Sequence, residues 1–191
     1  MREYSALSLD RIPAGSRIAR PEPPGRVSLD DPAFSVMTDL REVAAVTTRP
    51  EEAMYRAHQV MIERGVRLLF VVDTEGALAG VITATDILGD KPLRFTRERS
   101  LSHAEITVAD VMTPADRLEA LPMQDVAQMR VGHIVATMKA VRRQHLMVAD
   151  EGGRLVRGIF SASQVARQLG MELQTFSVAS TFAEIEAALA R

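Results

Sequence analysis

Cysteine is absent from this 191-residue chain, which excludes disulfide bonds, thiolate catalysis and metal sites with cysteine ligands. An excess of charge is missing too, because 23 basic and 25 acidic residues leave a formal net charge of −2. The chain therefore lacks the basic field that drives nucleic-acid binding. No apolar run reaches the length of a membrane span, and charges interrupt the first twenty residues, where a signal peptide has its apolar core. We expect a cytoplasmic protein that binds neither nucleic acid nor membranes.

Residues with reactive side chains form no recognisable catalytic or metal-binding pattern. The four histidines lack the spacing of metal ligands and are interpreted as packing or surface residues: His58, His103, His133 and His145. Ser161 and Ser163 lack both a neighbouring base and the strained elbow that presents a nucleophilic serine. Function has to be argued from a site, and no reactive site is visible. We expect a protein that is not an enzyme and requires no cofactor or metal.

An internal repeat is the most informative feature that the chain does contain. Residues 80–86, with the sequence GVITATD, return 78 positions later as residues 158–164, GIFSASQ. Two further pairs recur at offsets of 75 and 77 positions: Met37-Thr38 with Met112-Thr113, and residues 71–73 with residues 148–150. Self-similarity at an almost constant period predicts two copies of one structural unit.

Apolar spacing predicts the same order of elements in both copies. A helix is predicted over residues 51–64, beginning with a capping box of Thr48 and Glu51. Residues 67–73 and 144–150 are predicted to be buried strands, each followed by a turn and a second strand. Helical spacing recurs in both copies, first at Met54, Ala57 and Met61, and then at Val131, Ile134 and Met138. Each copy is therefore predicted to run strand, helix, strand, strand, helix.

Two units of about 55 to 65 residues bury little apolar surface alone and tend to pack against each other. We predict an α+β fold in which the repeats form an intramolecular pseudo-two-fold pair. Five of the nine prolines precede residue 33, which favours an extended arm at that end. The predicted divisions are an arm over 1–33, a first repeat over 34–90, a linker over 91–107, a second repeat over 108–170 and a C-terminal extension with a short helix over 171–191.

Thr83 and Asp86 stand where a predicted strand ends and a helix begins. An ionised Asp accepts up to about four hydrogen bonds and can hold a vicinal diol by one bond from each hydroxyl. Thr83 can add a bond, and the N–H groups of the helix that begins near Thr85 can face an anion, so a ribose beside a phosphate fits this chemistry. A Thr three residues before an Asp is also the pattern of N-terminal helix capping, which needs no ligand. Both interpretations remain open.

The motifs together resemble the CBS domain, and their duplication resembles a CBS pair, or Bateman module, over about residues 34–170. The likeness rests on the Met-Thr opening, the helix, the strand ending in Val-Val-Asp and the final Gly-to-Asp motif, in that order and twice. In that family the Thr and Asp of the motif contact the ribose of AMP, ATP or S-adenosylmethionine, which implies those roles for Thr83 and Asp86. The resemblance also implies an adenine site in the cleft between the repeats, at Val46, Thr47, Arg67 and Leu68.

This chain departs from the family pattern in its second copy, where Gln164 stands in place of the Asp. Phe70 and Met147 also replace a proline that is often found in the corresponding strands of the family. An amide can bond a hydroxyl but lacks the charge, and a charge-assisted bond contributes about 1.5 to 3 kcal/mol. We therefore expect the second site, at Ser161 and Gln164, to be weaker or empty, with one ligand bound per chain.

Two functions from different classes are consistent with these features. The first is a regulatory sensor that binds an adenine nucleotide or adenosyl compound between the repeats and modulates a partner protein. The second is a ligand-free scaffold that forms a homodimer and recruits a protein, with Thr83 and Asp86 acting only as helix caps. Homodimers are expected in either case, because most oligomers have closed symmetry.

Overall fold

A computed structural model describes residues 8–18, 26–99 and 102–170 of the chain. The short helix predicted within residues 171–191 lies outside these ranges. The strands are β1 (Thr38–Asp39), β2 (Thr47–Thr48), β3 (Leu68–Val72), β4 (Leu78–Thr83), β5 (Thr113–Pro114), β6 (Ala120–Pro122), β7 (His145–Asp150) and β8 (Leu155–Ser161). The α-helices are α1 (Met54–Arg64), α2 (Ala84–Leu88), α3 (Lys91–Arg99), α4 (Val108–Val111), α5 (Met123–Val126), α6 (Val131–Val141) and α7 (Ala162–Gln168).

The strands form two four-stranded sheets of matching topology. One sheet has the order β2-β3-β4-β5, and the other has the order β6-β7-β8-β1. In each sheet a helix crossover joins a parallel pair, β2 with β3 or β6 with β7, and a hairpin follows as β3-β4 or β7-β8. The predicted order of strand, helix, strand, strand, helix is therefore confirmed in both copies, and the fold is α+β.

One edge strand of each sheet is supplied by the Met-Thr segment of the other copy. Thr38 of β1 lies opposite Ile159 of β8, and Thr113 of β5 lies opposite Val81 of β4. Each Met-Thr opening therefore completes the sheet of the other copy. The segments just before these strands follow the same exchange and enter two separate cores, with Ala33 and Val36 in the core of the second sheet, and Val108 and Val111 in the core of the first sheet.

The repeated glycines, Gly80 and Gly158, make this exchange sterically feasible. A Cβ on Gly80 would lie 2.4 Å from the carbonyl oxygen of Thr113, so β5 can run this close to β4 only beside glycine. A Cβ on Gly158 would lie 2.7 Å from the sulfur of Met37. The repetition of Met-Thr and of the motif glycine thus has one physical cause, which is the close approach of the exchanged strand.

A third apolar cluster lies between the two sheets. Its buried members are Leu68, Phe70, Val81 and Met147. The two residues that replace the family's usual proline, Phe70 and Met147, are 7% and 8% exposed, so they fill space between the repeats. Burial of apolar side chains on facing sheets stabilises the paired arrangement over separate repeats.

One local prediction was wrong. Helix α1 begins at Met54, after Ala53, and no side chain caps it, so Thr48 and Glu51 do not form the expected capping box. Its first N–H group is satisfied through tertiary contact, since the backbone N–H of Met54 donates to the carbonyl of Ile106 at 2.9 Å. A backbone segment that precedes α4 thus replaces the local side-chain cap.

The predicted linker, residues 91–107, contains helix α3, Lys91–Arg99. Pro92 lies in its first turn, where proline is tolerated because the missing N–H has no helical partner. Pro92 is buried and Phe95 packs partly buried against the core of the first sheet. The charged residues of this segment are therefore the outer face of an amphipathic helix.

Gly80→Ala should destabilise the protein by about 1 to 3 kcal/mol, because the new Cβ meets backbone that cannot move without displacing β5. Gly158→Ala is the matched control and should cost less, since the atom in its way belongs to the flexible Met37 side chain. Urea unfolding of both variants measures the difference. Equal losses of unfolding free energy would contradict this account of the exchanged strand.

Candidate functional site

The first motif forms a reciprocal capping box where β4 meets α2. The backbone N–H of Asp86 donates to Thr83 Oγ1 at 3.2 Å, and the backbone N–H of Thr83 donates to Asp86 Oδ2 at 2.9 Å. The Thr83 hydroxyl also donates to Oδ2 at 2.6 Å. These bonds fix the orientation of the carboxylate and produce the helix-capping geometry that the sequence left as one of two alternatives.

The other carboxylate oxygen of Asp86 is paired with Lys91 from the start of α3. The Lys91 ammonium contacts Oδ1 and also donates to the carbonyl of Val111 at 3.1 Å. The Asp86 side chain is 13% exposed, whereas that of Lys91 is 47% exposed. Because an exposed ion pair contributes only about 0 to 1 kcal/mol, a ligand could share or displace the ammonium at low cost.

Asp86 opens onto a cleft of about 320 Å³ between the repeats. Thr83 and Thr85 line one side. The connection between α6 and β7 lines the other side with Arg142, Arg143, Gln144 and His145. Two more charged residues, Arg117 and Glu119, belong to the lining, and Glu119 pairs with Arg143 at 2.7 Å. The cleft thus combines an anchored carboxylate with guanidinium groups on the opposite wall.

Val46, Arg67 and Leu68 line a different and larger groove of about 910 Å³. The second motif faces them there, with Ser161 and Gln164 in the lining. Gln164 Oε1 accepts a hydrogen bond from the Thr38 hydroxyl at 3.0 Å. Each motif therefore faces the helix-to-strand connection of the other copy.

The six residues predicted as one site are consequently divided. Thr83 and Asp86 line the smaller cleft, Val46 and Arg67 line the larger groove, and Leu68 lines both. Thr47 lines a third cavity of about 1180 Å³ beside the two hairpin turns. The division follows from the exchange of edge strands, which a comparison of the two copies along the sequence does not show.

His145 is the site residue that sequence reasoning missed. It lies opposite Ser161 in the sheet, as Leu68 lies opposite Thr83, so a histidine replaces an aliphatic side chain at equivalent positions. It lines both the smaller cleft and the larger groove. The pKa of His145 is lowered to about 4, mainly by burial and next by the Arg67 guanidinium, whereas Asp86 acts in the opposite direction. Its alignment with Leu68 in the repeat was the one signal available in the sequence.

No group of three or more His, Cys, Asp or Glu side chains within residues 8–18, 26–99 and 102–170 is arranged to hold a metal ion. Among the helices of those same ranges, none has the length and apolar character needed to cross a bilayer.

Comparison with known proteins identifies the class of this chain. Residues 27–90 match the family model of the CBS domain. A conserved protein from Pyrococcus horikoshii aligns over 78% of this chain and 99% of its own, with 23% identity and a TM-score of 0.56. Residues 27–90 are therefore similar to a CBS domain, and the whole chain shares its fold with this protein.

Two further solved structures are described with bound ligands. CBSX2, a CBS-pair protein of Arabidopsis thaliana, in complex with AMP, aligns over 72% of this chain and 94% of its own, with 21% identity and a TM-score of 0.50. The CBS domain pair of protein MJ0100, in complex with 5′-methylthioadenosine and S-adenosyl-L-methionine, aligns over 75% and 97%, with 19% identity and a TM-score of 0.51. No curated protein matches the chain at a significant level. The fold is that of a CBS pair, which confirms the resemblance found in the sequence.

The histidine makes stability depend on pH. Because the pKa of His145 falls from 6.5 to about 4 on folding, the unfolded chain takes up a proton first as the pH drops. The free energy of unfolding is therefore unaffected by His145 above pH 6.5. It decreases by about 2 to 3 kcal/mol as the pH falls towards 4. His145→Leu, which copies Leu68, should flatten the profile of unfolding free energy between these pH values.

Replacement of the exposed His103 by Leu is the control and should leave the profile as in the parent protein. Chemical unfolding at a series of pH values measures all three proteins. Parallel profiles for the parent and His145→Leu would show that His145 is not the group responsible.

Proposed function

We propose that this protein is a regulatory CBS pair that binds an adenosyl ligand in the smaller cleft and modulates a partner protein. The observation that carries the proposal is Asp86, a carboxylate anchored by its capping box at the mouth of a cleft between the repeats. It is neither turned fully to solvent nor sealed beneath other side chains.

The cleft offers separate surfaces for the parts of such a ligand. Asp86 can accept the ribose diol, and Thr83 stands beside it. Arg142 and Arg117 suit a phosphate or a carboxylate, since guanidinium groups bind such anions with paired hydrogen bonds. The floor is apolar and suits a purine face, with Leu68, Val81, Leu118 and Met147 in its lining.

Similarity to known structures supports this class of ligand. CBSX2 was crystallised with AMP, and the MJ0100 pair with 5′-methylthioadenosine and S-adenosyl-L-methionine. All three compounds carry an adenosine group with a ribose or a ribose derivative. We assign to this chain the shared adenosine group and leave the choice among AMP, ATP and S-adenosylmethionine to experiment.

Regulation follows from the position of the cleft. Its walls come from both repeats, so a ligand that contacts both binds one relative arrangement of the repeats more tightly than others. Such unequal affinity is what shifts a conformational equilibrium. The signal would pass to a partner through the outer surfaces, and the chain would need no catalytic group or resident cofactor.

A second candidate function is a ligand-free, homodimeric scaffold. It is favoured by one observation, which is that both oxygens of Asp86 already have partners in Thr83 and Lys91. Exposed apolar residues on helices, such as Tyr55 and Leu93, would then belong to the protein interface. Mass measurement in solution tests the dimer, and ligand binding separates the two functions.

Thermal unfolding with AMP, ATP or S-adenosylmethionine should show stabilisation by at least one of them, whereas GTP should have little effect. A ligand at about 100 times its dissociation constant stabilises by about 2.7 kcal/mol. Asp86→Asn keeps a side-chain oxygen for the cap but removes the charge, so it should abolish most of the shift.

Asp90→Asn is the matched control, because Asp90 is exposed and lies outside the cavity linings. It should respond to ligand like the parent protein. If Asp86→Asn retains the full thermal shift, the ligand is bound elsewhere. If all the adenosyl compounds leave the parent protein unchanged, the scaffold function is favoured.

Lys91→Met should tighten the binding of adenosine, a probe without phosphate, because the ammonium no longer competes for Oδ1 of Asp86. The expected gain is up to about fivefold, the equivalent of an exposed ion pair. The control is Lys139→Met, which replaces the only other lysine of the sequence, on α6. Calorimetry with adenosine measures both variants, and weaker binding to Lys91→Met would show that the lysine assists the ligand.

A further inference from the structure

The larger groove differs from the smaller cleft in charge as well as in size. It is lined by the described residues of both repeats, and none of these lining residues is acidic. The smaller cleft has Asp86 and Glu119 in its lining. Since the two cavities are related by the repeat, the difference arises from substitution at equivalent positions, with Gln164 in the place of Asp86.

The polar groups of the groove are predominantly hydrogen-bond donors. The side-chain oxygen of Gln164 accepts a hydrogen bond from the Thr38 hydroxyl. Its NH₂ group can therefore donate hydrogen bonds to a ligand. Arg167, one helical turn further along α7, and Arg67 from the opposite repeat add guanidinium groups. This end of the groove is suited to an anion, and its described lining has no carboxylate of the kind that would hold a sugar diol.

The remaining wall is apolar and extends to the surface. Inside the groove lie Val46 and Met61, among other aliphatic side chains. Its lining also includes Val43, Ile62 and Leu88, which are 54%, 68% and 69% exposed. Exposed apolar residues grouped around a cavity indicate a surface that a ligand or partner covers.

We propose that the larger groove is a second, chemically distinct site, which binds a small amphiphilic carboxylate. The carboxylate would lie at Gln164 and Arg167, and the hydrocarbon body would cover the apolar wall formed by Val43, Ile62 and Leu88. Charge complementarity selects the anion, and the cavity of about 910 Å³ accommodates a molecule of ordinary ligand size. The protein would thus bind two classes of ligand, one in each cavity.

Calorimetry on the full-length protein tests the site with three probes of equal chain length: octanoate, octanol and octylammonium. Octanoate should bind, octanol should bind about tenfold more weakly, and octylammonium should give no saturable binding, because only the carboxylate can take charge-assisted bonds from the donors. Equal affinity for octanoate and octanol would overturn the proposal.

Two pairs of variants locate the site. Gln164→Glu places a negative charge beside the bound carboxylate, and Arg167→Gln removes a positive charge from an exposed position, so each should weaken octanoate about tenfold or more. Gln59→Glu and Arg56→Gln make the same changes on exposed positions of α1 outside the groove and should leave the isotherm unchanged. Arg167→Gln serves as the decisive variant if Gln164→Glu fails to fold. Unaltered binding to Arg167→Gln would overturn the assignment.

Competition separates this inference from the proposed adenosyl site. Saturating AMP should leave the octanoate isotherm in place, because the two ligands occupy different cavities. Displacement of octanoate by AMP would place both in one cavity and would refute the second site. If the protein does not bind AMP but binds octanoate, and Gln164→Glu and Arg167→Gln weaken octanoate as expected, only the adenosyl proposal is refuted.

Discussion

The pairing of β1 with β8 and of β5 with β4 holds the two repeats in a single relationship. Each exchanged strand contributes backbone hydrogen bonds to the sheet of the other copy and brings a short apolar segment into that copy's core. The repeats therefore cannot separate without losing an edge strand and part of both cores. The glycines at positions 80 and 158 permit this approach, and each lies on the same strand as the motif that follows it.

The exchange also decides what each motif faces. A motif hydroxyl residue ends β4 or β8, and the opposite wall is the helix-to-strand connection of the other copy. Because this arrangement occurs twice, the protein contains two related cavities whose chemistry has been varied independently. The smaller cleft contains an anchored carboxylate, Asp86, whereas the larger groove contains an amide, Gln164, at the equivalent position. A single change from carboxylate to amide reverses which partners are favoured, since a carboxylate accepts from donors whereas an amide NH₂ beside guanidinium groups donates to acceptors.

His145 lies where the two cavities share a wall. Burial and the Arg67 guanidinium lower its pKa, which favours the neutral ring, and Asp86 acts in the opposite direction. A ligand charge in either cavity would act on the same ring. The histidine thus gives the two cavities a common electrostatic neighbour, although they belong to different repeats.

Most of the fold could be predicted from the sequence because local patterns are strong in both copies. The apolar stripes of α1 and α6 and the buried runs of β3 and β7 all appear where their spacing places them. The error occurred where tertiary contact replaced a local signal. Helix α1 begins at Met54, where the backbone N–H donates to the carbonyl of Ile106, and not at the capping box predicted for Thr48 and Glu51.

The duplication can be read from the sequence because the same residues recur at an almost constant offset, and the order of elements and the Thr83–Asp86 pair follow from residues a few positions apart. The set of residues that share a cavity, the pairing of Lys91 with Asp86 and the position of His145 in both linings became visible only in the folded chain. These contacts depend on backbone pairing between distant segments, such as that which brings Thr38 to Gln164 across 126 positions. Periodicity records which face of a strand is buried, but it carries no information on which distant strand lies beside it.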